Sequence, residues 1–383
     1  MKPKVIRIST VPLSLHLLLQ GQLRMLEEAY EVVAVSSPGQ ELEKVGEREG
    51  VRTLAVPMQR HIAPLKDCVA LVKLVLLFHK EKPLIVHSLT PKAGLLAMMA
   101  AWICRIPIRM HTFTGLVFPS ATGWKRHLLI ATDRLTCACA TYINPEGRGV
   151  KRDLERFGVT NQQLHLIGNG NINGIDLSYF DRTPAVMAKA ESYRKPTDFV
   201  FCFVGRLVRD KGINELVAAF VRLQREFTNC RLWLVGDFDA NLDPVAPETE
   251  AYIHKHPAIM FVGWQDDIRP FLAASDAFVF PSYREGFPNV VLQAGAMGLP
   301  CIVTDINGCN EIIENGNNGV IIPSRDSECL YQAMREFVSS PASVRKLAAA
   351  ARPRIVRKYD RQMLWKALRD VYQEQIENLK NKD

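Results

Sequence analysis

The sequence predicts an α/β protein made of two doubly wound units in tandem, each a parallel sheet with helices on both faces. Three observations carry this expectation. At 383 residues the chain is long for one domain and suits two of about 150 to 200 residues. Short runs rich in Val and Ile alternate with amphipathic stretches, as strands buried on both faces and joined by crossover helices require. The alternation stops at a polar segment, 183–198, that holds two prolines, and then begins again.

The first half is expected to place strands at 4–10 (KVIRIST), 31–38, 51–58, 83–90, 108–115 (IRMHTFTG), 141–145 and 164–170 (LHLIGNG). Helical patterns fill the gaps; between 65 and 80, apolar residues at 65, 68, 69, 72, 75 and 76 follow the helical period. The second half repeats the scheme at 199–207 (FVFCFVGRL), 231–236, 259–264, 277–282 (AFVFPS), 300–305 and 319–323. The expected domains are 1–182 and 183–360, with a last amphipathic helix in 361–383 packing back on the first domain across a cleft. In such sheets ligands bind at the C-terminal ends of the strands.

Composition bounds the class. Hydrophobic residues make up 48% of the chain and charged residues 23%, as in ordinary soluble proteins. Nine cysteines are scattered, the closest pair being Cys137 and Cys139, without zinc-type spacing or a disulfide framework. With no signal-peptide core after Met1, a cytoplasmic location is expected. The longest apolar run, 93–104, is about 12 residues against the roughly 20 that span a bilayer. The net charge of +8 lies wholly in residues 1–182, which hold 23 Lys and Arg against 15 Asp and Glu. A basic first half suits an anionic partner, or is solvated surface charge. The modest excess and the lack of a nucleic-acid module make nucleic acid an improbable partner.

Two stretches can carry chemistry. In SYREGFPNVVLQ (282–293) a buried strand runs into a loop with Glu285 and Gly286, and a helix begins near Pro288 or Asn289. Proline suits a first helical turn, and amides of Asn289, Val290 and Val291 at a helix N-terminus attract anions. Glu285 can accept hydrogen bonds from hydroxyls, and Gly286 permits close backbone approach. An acid for hydroxyls beside amides for phosphate suits a sugar phosphate; the same residues also fit a capped helix beside an exposed glutamate. In VGRLVRDKG (204–212) a strand ends at Gly205, Arg206 follows, and Lys211 precedes the next helix. Two such cations can clamp a diphosphate, or form a solvated basic turn.

Gly205-Arg206, Lys211-Gly212, the later Glu285-Gly286-Phe287-Pro288-Asn289 and Gly298-Leu299-Pro300 together resemble the retaining glycosyltransferases of family 4. More narrowly they resemble bacterial enzymes that extend capsule, O-antigen or lipid-linked glycans. HTFTGL (111–116) and IGNGNINGIDLSYF (167–180) resemble the family's strand-end histidine and inter-domain segments. The resemblance implies the GT-B fold, two Rossmann-like domains facing across a cleft. It implies that Arg206 and Lys211 bind the donor diphosphate and that Glu285 contacts the transferred sugar. Gly205 and the stretch Gly286, Phe287, Pro288, Asn289 and Val290 would line the donor, and His111 would stand near the reacting sugar. A strand-end histidine is also often purely structural.

Two departures stand out. The second acid of the family's Glu-x7-Glu motif falls on Gln293, which can accept a ribose hydroxyl only through a neutral carbonyl. The Gly-Gly loop after the first strand is replaced by STVPLSLHLLLQG (9–21), where Ser9, Thr10 and Ser14 are the available substitutes. No Asp-x-Asp pair of the metal-dependent kind stands out; Asp266-Asp267 opens a helix. Metal-independent transfer without a cofactor is therefore expected, by front-face displacement and with domain closure. The expected donor is a nucleotide diphosphate sugar, a UDP-sugar, and the expected acceptor a glycan, polyprenyl-diphosphate-linked. Lys125, Arg126 and His127, beside LLIATDRL (128–135), fit peripheral contact with the membrane. Trp264 fits either core packing or a stacking surface. The rival readings are a nucleotide-sugar epimerase of the same fold and an inactive nucleotide-sugar-binding assembly subunit. A pyridoxal-phosphate phosphorylase lacks an evident cofactor lysine.

Overall fold

The structure, a computed structural model, describes residues 2–239 and 243–381. Among the described residues twelve strands form two six-stranded, wholly parallel sheets. The first holds β1 (Lys4–Ile8), β2 (Glu31–Ser36), β3 (Arg52–Ala55), β4 (Ile85–Leu89), β5 (Ile108–Phe113) and β6 (Tyr142–Pro145) in the order β3-β2-β1-β4-β5-β6. The second holds β7 (Phe199–Val204), β8 (Cys230–Val235), β9 (Ile259–Gly263), β10 (Ala277–Phe280), β11 (Cys301–Thr304) and β12 (Gly319–Ile322) in the order β12-β11-β10-β7-β8-β9. Relabelled from its own first strand, the second order repeats the first. In each sheet the order of strand addition therefore reverses between the first and fourth strands, which opens a crevice at their C-terminal ends.

The chain divides into two compact units, Met1–Gly174 with Arg361–Asp383, and Ile175–Asp360. The division precedes the expected break at 182–183 because Ile175 already belongs to the second unit. Its amide donates to Tyr359 O at 2.8 Å, and Phe180 is buried in that unit's core. The final helix, Arg361–Lys380, lies with the first unit: Tyr372 is fully buried, with its hydroxyl 2.7 Å from His87 Nδ1.

Segment 164–170 is not a strand. It makes one bridge, Leu164 to Ile143, and then turns through Gly168 and Gly170 at φ +59° and +94°. Positive φ at both glycines is incompatible with an extended ladder. Among the described residues no helix is long and apolar enough to cross a membrane.

Candidate functional site

The residues singled out in the second half converge at the C-terminal ends of β7 and β10, the neighbours that flank the crevice of the second sheet. After β7 the chain turns at Gly205 (φ +150°). Gly236, at the end of β8, lies against it: a Cβ there would stand 2.1 Å from Gly205 O. Arg206 is exposed and pairs with Asp239 at 3.2 Å. Leu207 and Val208 are buried and anchor the loop, and Leu207 N donates to Asp237 O at 2.8 Å. A short 3-10 turn, Arg209–Lys211, ends at Gly212 (φ +71°), which caps the Ile213–Glu226 helix. A Cβ on Gly212 would lie 2.1 Å from Pro281 O, so glycine permits the β7 and β10 loops to touch.

That contact brings Lys211 to Glu285. The ammonium donates to Glu285 Oε1, both side chains are about one-sixth exposed (16% and 17%), and Lys211 Nζ sits 5.5 Å from the centre of the Phe280 ring. Beneath them Ser282 is fully buried. Its Oγ lies 2.9 Å from Glu285 Oε1 and 3.2 Å from the carbonyls of both Asp210 and Arg284. The loops are further stitched by Tyr283 N to Asp210 O (2.8 Å), Arg284 to Asp210 (3.0 Å) and Tyr283 OH to Glu215 (2.6 Å). Burial, and then the bond to Glu215, raises the Tyr283 phenol pKa and keeps it a neutral donor.

The Asn289–Ala296 helix follows, with Pro288 at its N-cap rather than inside its first turn. Val291 is not an open donor, because its amide bonds Pro288 O at 3.1 Å; the Val290 amide has no partner among the described residues. Phe287 is buried, 5.5 Å ring to ring from Tyr359, so only its backbone faces the loop's surroundings. Gly286 does not adopt positive φ. The close approach occurs instead at Gly308 (φ +76°), where a Cβ would stand 2.6 Å from Gly286 O and from Pro288 Cδ. Gln293 is half-buried on the same helix. Asp267 is held by Arg269 at 2.8 Å, and Asp266 accepts from the exposed Trp264 indole at 3.3 Å. Trp264 is thus not a core residue.

The first unit treats its expected residues differently. His111 is 1% exposed, its Nδ1 is 2.8 Å from Ser88 Oγ, and its ring packs edge-on to Phe113 at 4.4 Å. Burial pushes its pKa down to about 3, so the ring is neutral. A Cβ on Gly94 would meet the ring at 2.3 Å, which shows how closely the Pro91–Ile103 helix covers it. These contacts describe a packing role; the expected place beside a sugar rests on resemblance alone. Ser9 and Thr10 are buried and spend their hydroxyls internally, on Val11 O (2.8 Å) and Thr90 Oγ1 (2.8 Å). Sequence reasoning missed Ser282, Asp210 and Gly308. Only Gly308 carried a signal, the Asn307-Gly308 turn pair after β11.

Residues 198–340 match the family model for glycosyl transferases group 1, and residues 19–170 match a glycosyl transferase 4-like domain. The capsular polysaccharide biosynthesis glycosyltransferase CapM of Staphylococcus aureus is 30% identical over 373 residues, 96% of each chain. The chain belongs to this glycosyltransferase family. The enzyme is also 30% identical, over 75% of its length and 74% of the relative's, to an Escherichia coli UDP-Gal:alpha-D-GlcNAc-diphosphoundecaprenol alpha-1,3-galactosyltransferase. Its fold is that of Anabaena Alr3699/HepE, crystallised with UDP and glucose: TM-score 0.82, 17% identity, 97% of this glycosyltransferase and 99% of that chain. The two six-stranded parallel sheets are those of the GT-B glycosyltransferases.

Proposed function

We propose that the enzyme transfers a hexose or N-acetylhexosamine from a UDP-sugar to a polyprenyl-diphosphate-linked glycan during surface polysaccharide or lipid-linked oligosaccharide synthesis. The observation that carries this reading is the Lys211–Glu285 contact at the mouth of β7 and β10, with Arg206 exposed beside it. Diphosphate takes Lys211 and Arg206 as counter-ions, and Glu285, released from Lys211 and still bonded by Ser282, accepts sugar hydroxyls. Gly205 and the backbone from Gly286 to Val290 line the donor, and Gln293 accepts a ribose hydroxyl without charge.

In the reaction the acceptor hydroxyl oxygen bonds to the anomeric carbon while the bond from that carbon to the β-phosphate oxygen breaks. The acceptor proton passes to the departing phosphate, and Arg206 and Lys211 stabilise the charge that develops there. Attack from the leaving-group face retains configuration, and the two cations do the electrostatic work of a metal ion. UDP as donor is supported by the nucleotide bound to the Anabaena protein, and the lipid-linked acceptor by the diphosphoundecaprenol-linked acceptor of the Escherichia coli relative.

The test is product analysis with a panel of UDP-sugars, a short-chain prenyl-diphosphate glycan and chelator. Transfer in the presence of chelator supports the reading. Sugar isomerisation without acceptor would make the protein an epimerase. UDP binding without turnover on any acceptor would favour an assembly subunit.

A further inference from the structure

Two features of the sequence lie outside the donor site: the 9–21 stretch that stands where the Gly-Gly loop would be, and the segment IGNGNINGIDLSYF (167–180). The structure brings them together. The chain passes between the units twice, at Gly174–Ile175 and at Asp360–Arg361. The two crossings run side by side: Ile175 bridges to Asp360, and its amide donates to Tyr359 O at 2.8 Å. Just inside the first unit, Asn173 and Trp365 repeat the link, with the indole Nε1 donating to Asn173 Oδ1 at 2.7 Å.

Asn173 is buried and uses both ends of its amide. Its Oδ1 also accepts from Gln22 Nε2 at 3.2 Å, and its Nδ2 donates to Gln20 O at 2.9 Å. Gln22, fully buried, donates in addition to Ile172 O at 2.9 Å. Trp365 reaches the same stretch by packing. Gly21 takes φ +77°, and a Cβ there would stand 3.0 Å from the indole ring. Asn171 Oδ1 steadies the segment by accepting from the amides of Asn173 (3.0 Å) and Gly174 (2.8 Å). Buried carboxamides that lose a partner are left with an unsatisfied polar group, so this set holds or breaks as a unit.

The other end of the 9–21 stretch borders the crevice of the first sheet, because it leaves β1 at its C-terminal end. Thr10 Oγ1 lies 2.8 Å from Thr90 Oγ1, just past the end of β4, and accepts from Ala93 N at 3.1 Å. The stretch is thus anchored at the crevice on one side and at both chain crossings on the other. Stability alone would account for the bonds but not for where they lead. We propose that Asn173 and Trp365 are positioning residues that gear the 9–21 loop to the chain crossings, so that a donor bound on the second unit reorders this loop at the crevice of the first. Ligand-driven closure completes two-part sites in this manner. The inference rests on the nucleotide-sugar donor reading.

The experiment is hydrogen exchange of the full chain read by mass spectrometry, without nucleotide and with UDP, GDP or ADP. In the wild type, UDP is expected to slow exchange in 11–22 as well as in the donor loops at 205–212 and 282–290. Asn173→Ala should abolish the change in 11–22 and keep the change in the donor loops. Trp365→Phe, which removes the indole N–H and keeps an aromatic ring, should diminish it, and it decides the matter if Asn173→Ala fails to fold. The double variant should be no worse than Asn173→Ala alone, since the two act through one bond. UDP affinity should stay unchanged in every variant, because neither residue belongs to the donor site. In a transfer assay kcat should fall about tenfold or more with the KM for the donor unmoved, as misplacement far from the chemistry predicts. Donor-loop protection without any change in 11–22 overturns the proposal, as does a change in 11–22 that survives both variants. Weakened UDP binding in Trp365→Phe also overturns it, because the pair then only supports the fold. Protection of both regions by GDP or ADP and not by UDP sinks the choice of donor and upholds the gearing; protection of neither region by any of the three sinks both.

Discussion

Lys211 and Glu285, 74 residues apart in sequence, contact each other directly at the ends of two neighbouring strands, and Ser282 lies 2.9 Å from the same carboxylate oxygen. The two charges neutralise each other. A donor that carries both a diphosphate and sugar hydroxyls offers each partner a replacement, so the arrangement suits exchange of one bonding set for another.

Removing either member should therefore cost activity much more than stability. Lys211→Ala and Glu285→Ala are each expected to lower kcat/KM by about a hundredfold or more, the scale of lost electrostatic stabilisation at a developing charge. Unfolding free energy should fall by about 1–3 kcal/mol, because each variant leaves a mostly buried partner without its counter-ion, a loss that the fold survives. Steady-state kinetics beside denaturant titration checks both. Two variants that merely unfold would remove the support for the site.

Ser282 positions the carboxylate. Ser282→Ala removes a buried hydroxyl from Glu285 and is expected to cost about 1 kcal/mol of stability. It should also raise KM for the donor, because in the proposed exchange, with Lys211 turned to phosphate, the Ser282 bond is what holds Glu285 in place. An unchanged KM would mean that Ser282 only packs.

Gly308→Ala should disturb the Gly286–Pro288 backbone from behind, through the 2.6 Å contacts of the added Cβ. Backbone strain of this type costs about 1–3 kcal/mol, and donor binding should weaken with it. Gly298→Ala is the control. Gly298 also has positive φ, but its Cβ would meet nothing within 4 Å. It should lose stability without the matching loss of donor affinity.

Gln293→Glu restores an acid where the family motif has one. Activity should persist and donor affinity should rise a fewfold, read by calorimetry, since a carboxylate accepts a hydroxyl more strongly than an amide. A large loss would show that Gln293 contacts something other than ribose.

Stability should also depend on pH through Asp133, whose burial in the Gly123–Cys139 helix raises its pKa to about 7. Between its ordinary value near 4 and about 7, the unfolded chain has released this proton and the folded chain has not. Stability from this group therefore falls as pH rises across that window and is level above it. Asp133→Asn should flatten that decline and add about 1–4 kcal/mol at pH 8. Denaturant melts at a series of pH values measure both slopes.

Much of the fold was legible because its strands are buried on both faces and read as unbroken Val, Ile and Phe runs; FVFCFVG and AFVFPS announce β7 and β10. Segment 164–170 misled because LHLI opens like a strand, while its fate is decided by the left-handed glycines that follow. The boundary at Gly174–Ile175 was hidden because it depends on a bond to Tyr359, far along the chain. At the site, the acid, the cations and the helix start had local signatures. The Lys211–Glu285 contact did not, since it arises from strand order. Ser282 had none either, because a lone serine after a strand looks like any turn residue. His111 is the reverse case: its strand-end position was compatible with a structural role and with a place near the sugar, and only the fold shows how closely the Pro91–Ile103 helix packs over its ring.

The most direct test of the central claim is calorimetric titration of UDP, with GDP and ADP as comparators, into the wild type, Arg206→Ala and Lys211→Ala in the presence of chelator. The expected result is chelator-insensitive binding of UDP that weakens at least tenfold in both variants while the melting temperature changes little. UDP binding that requires a divalent ion, or that is indifferent to Arg206 and Lys211, would contradict it.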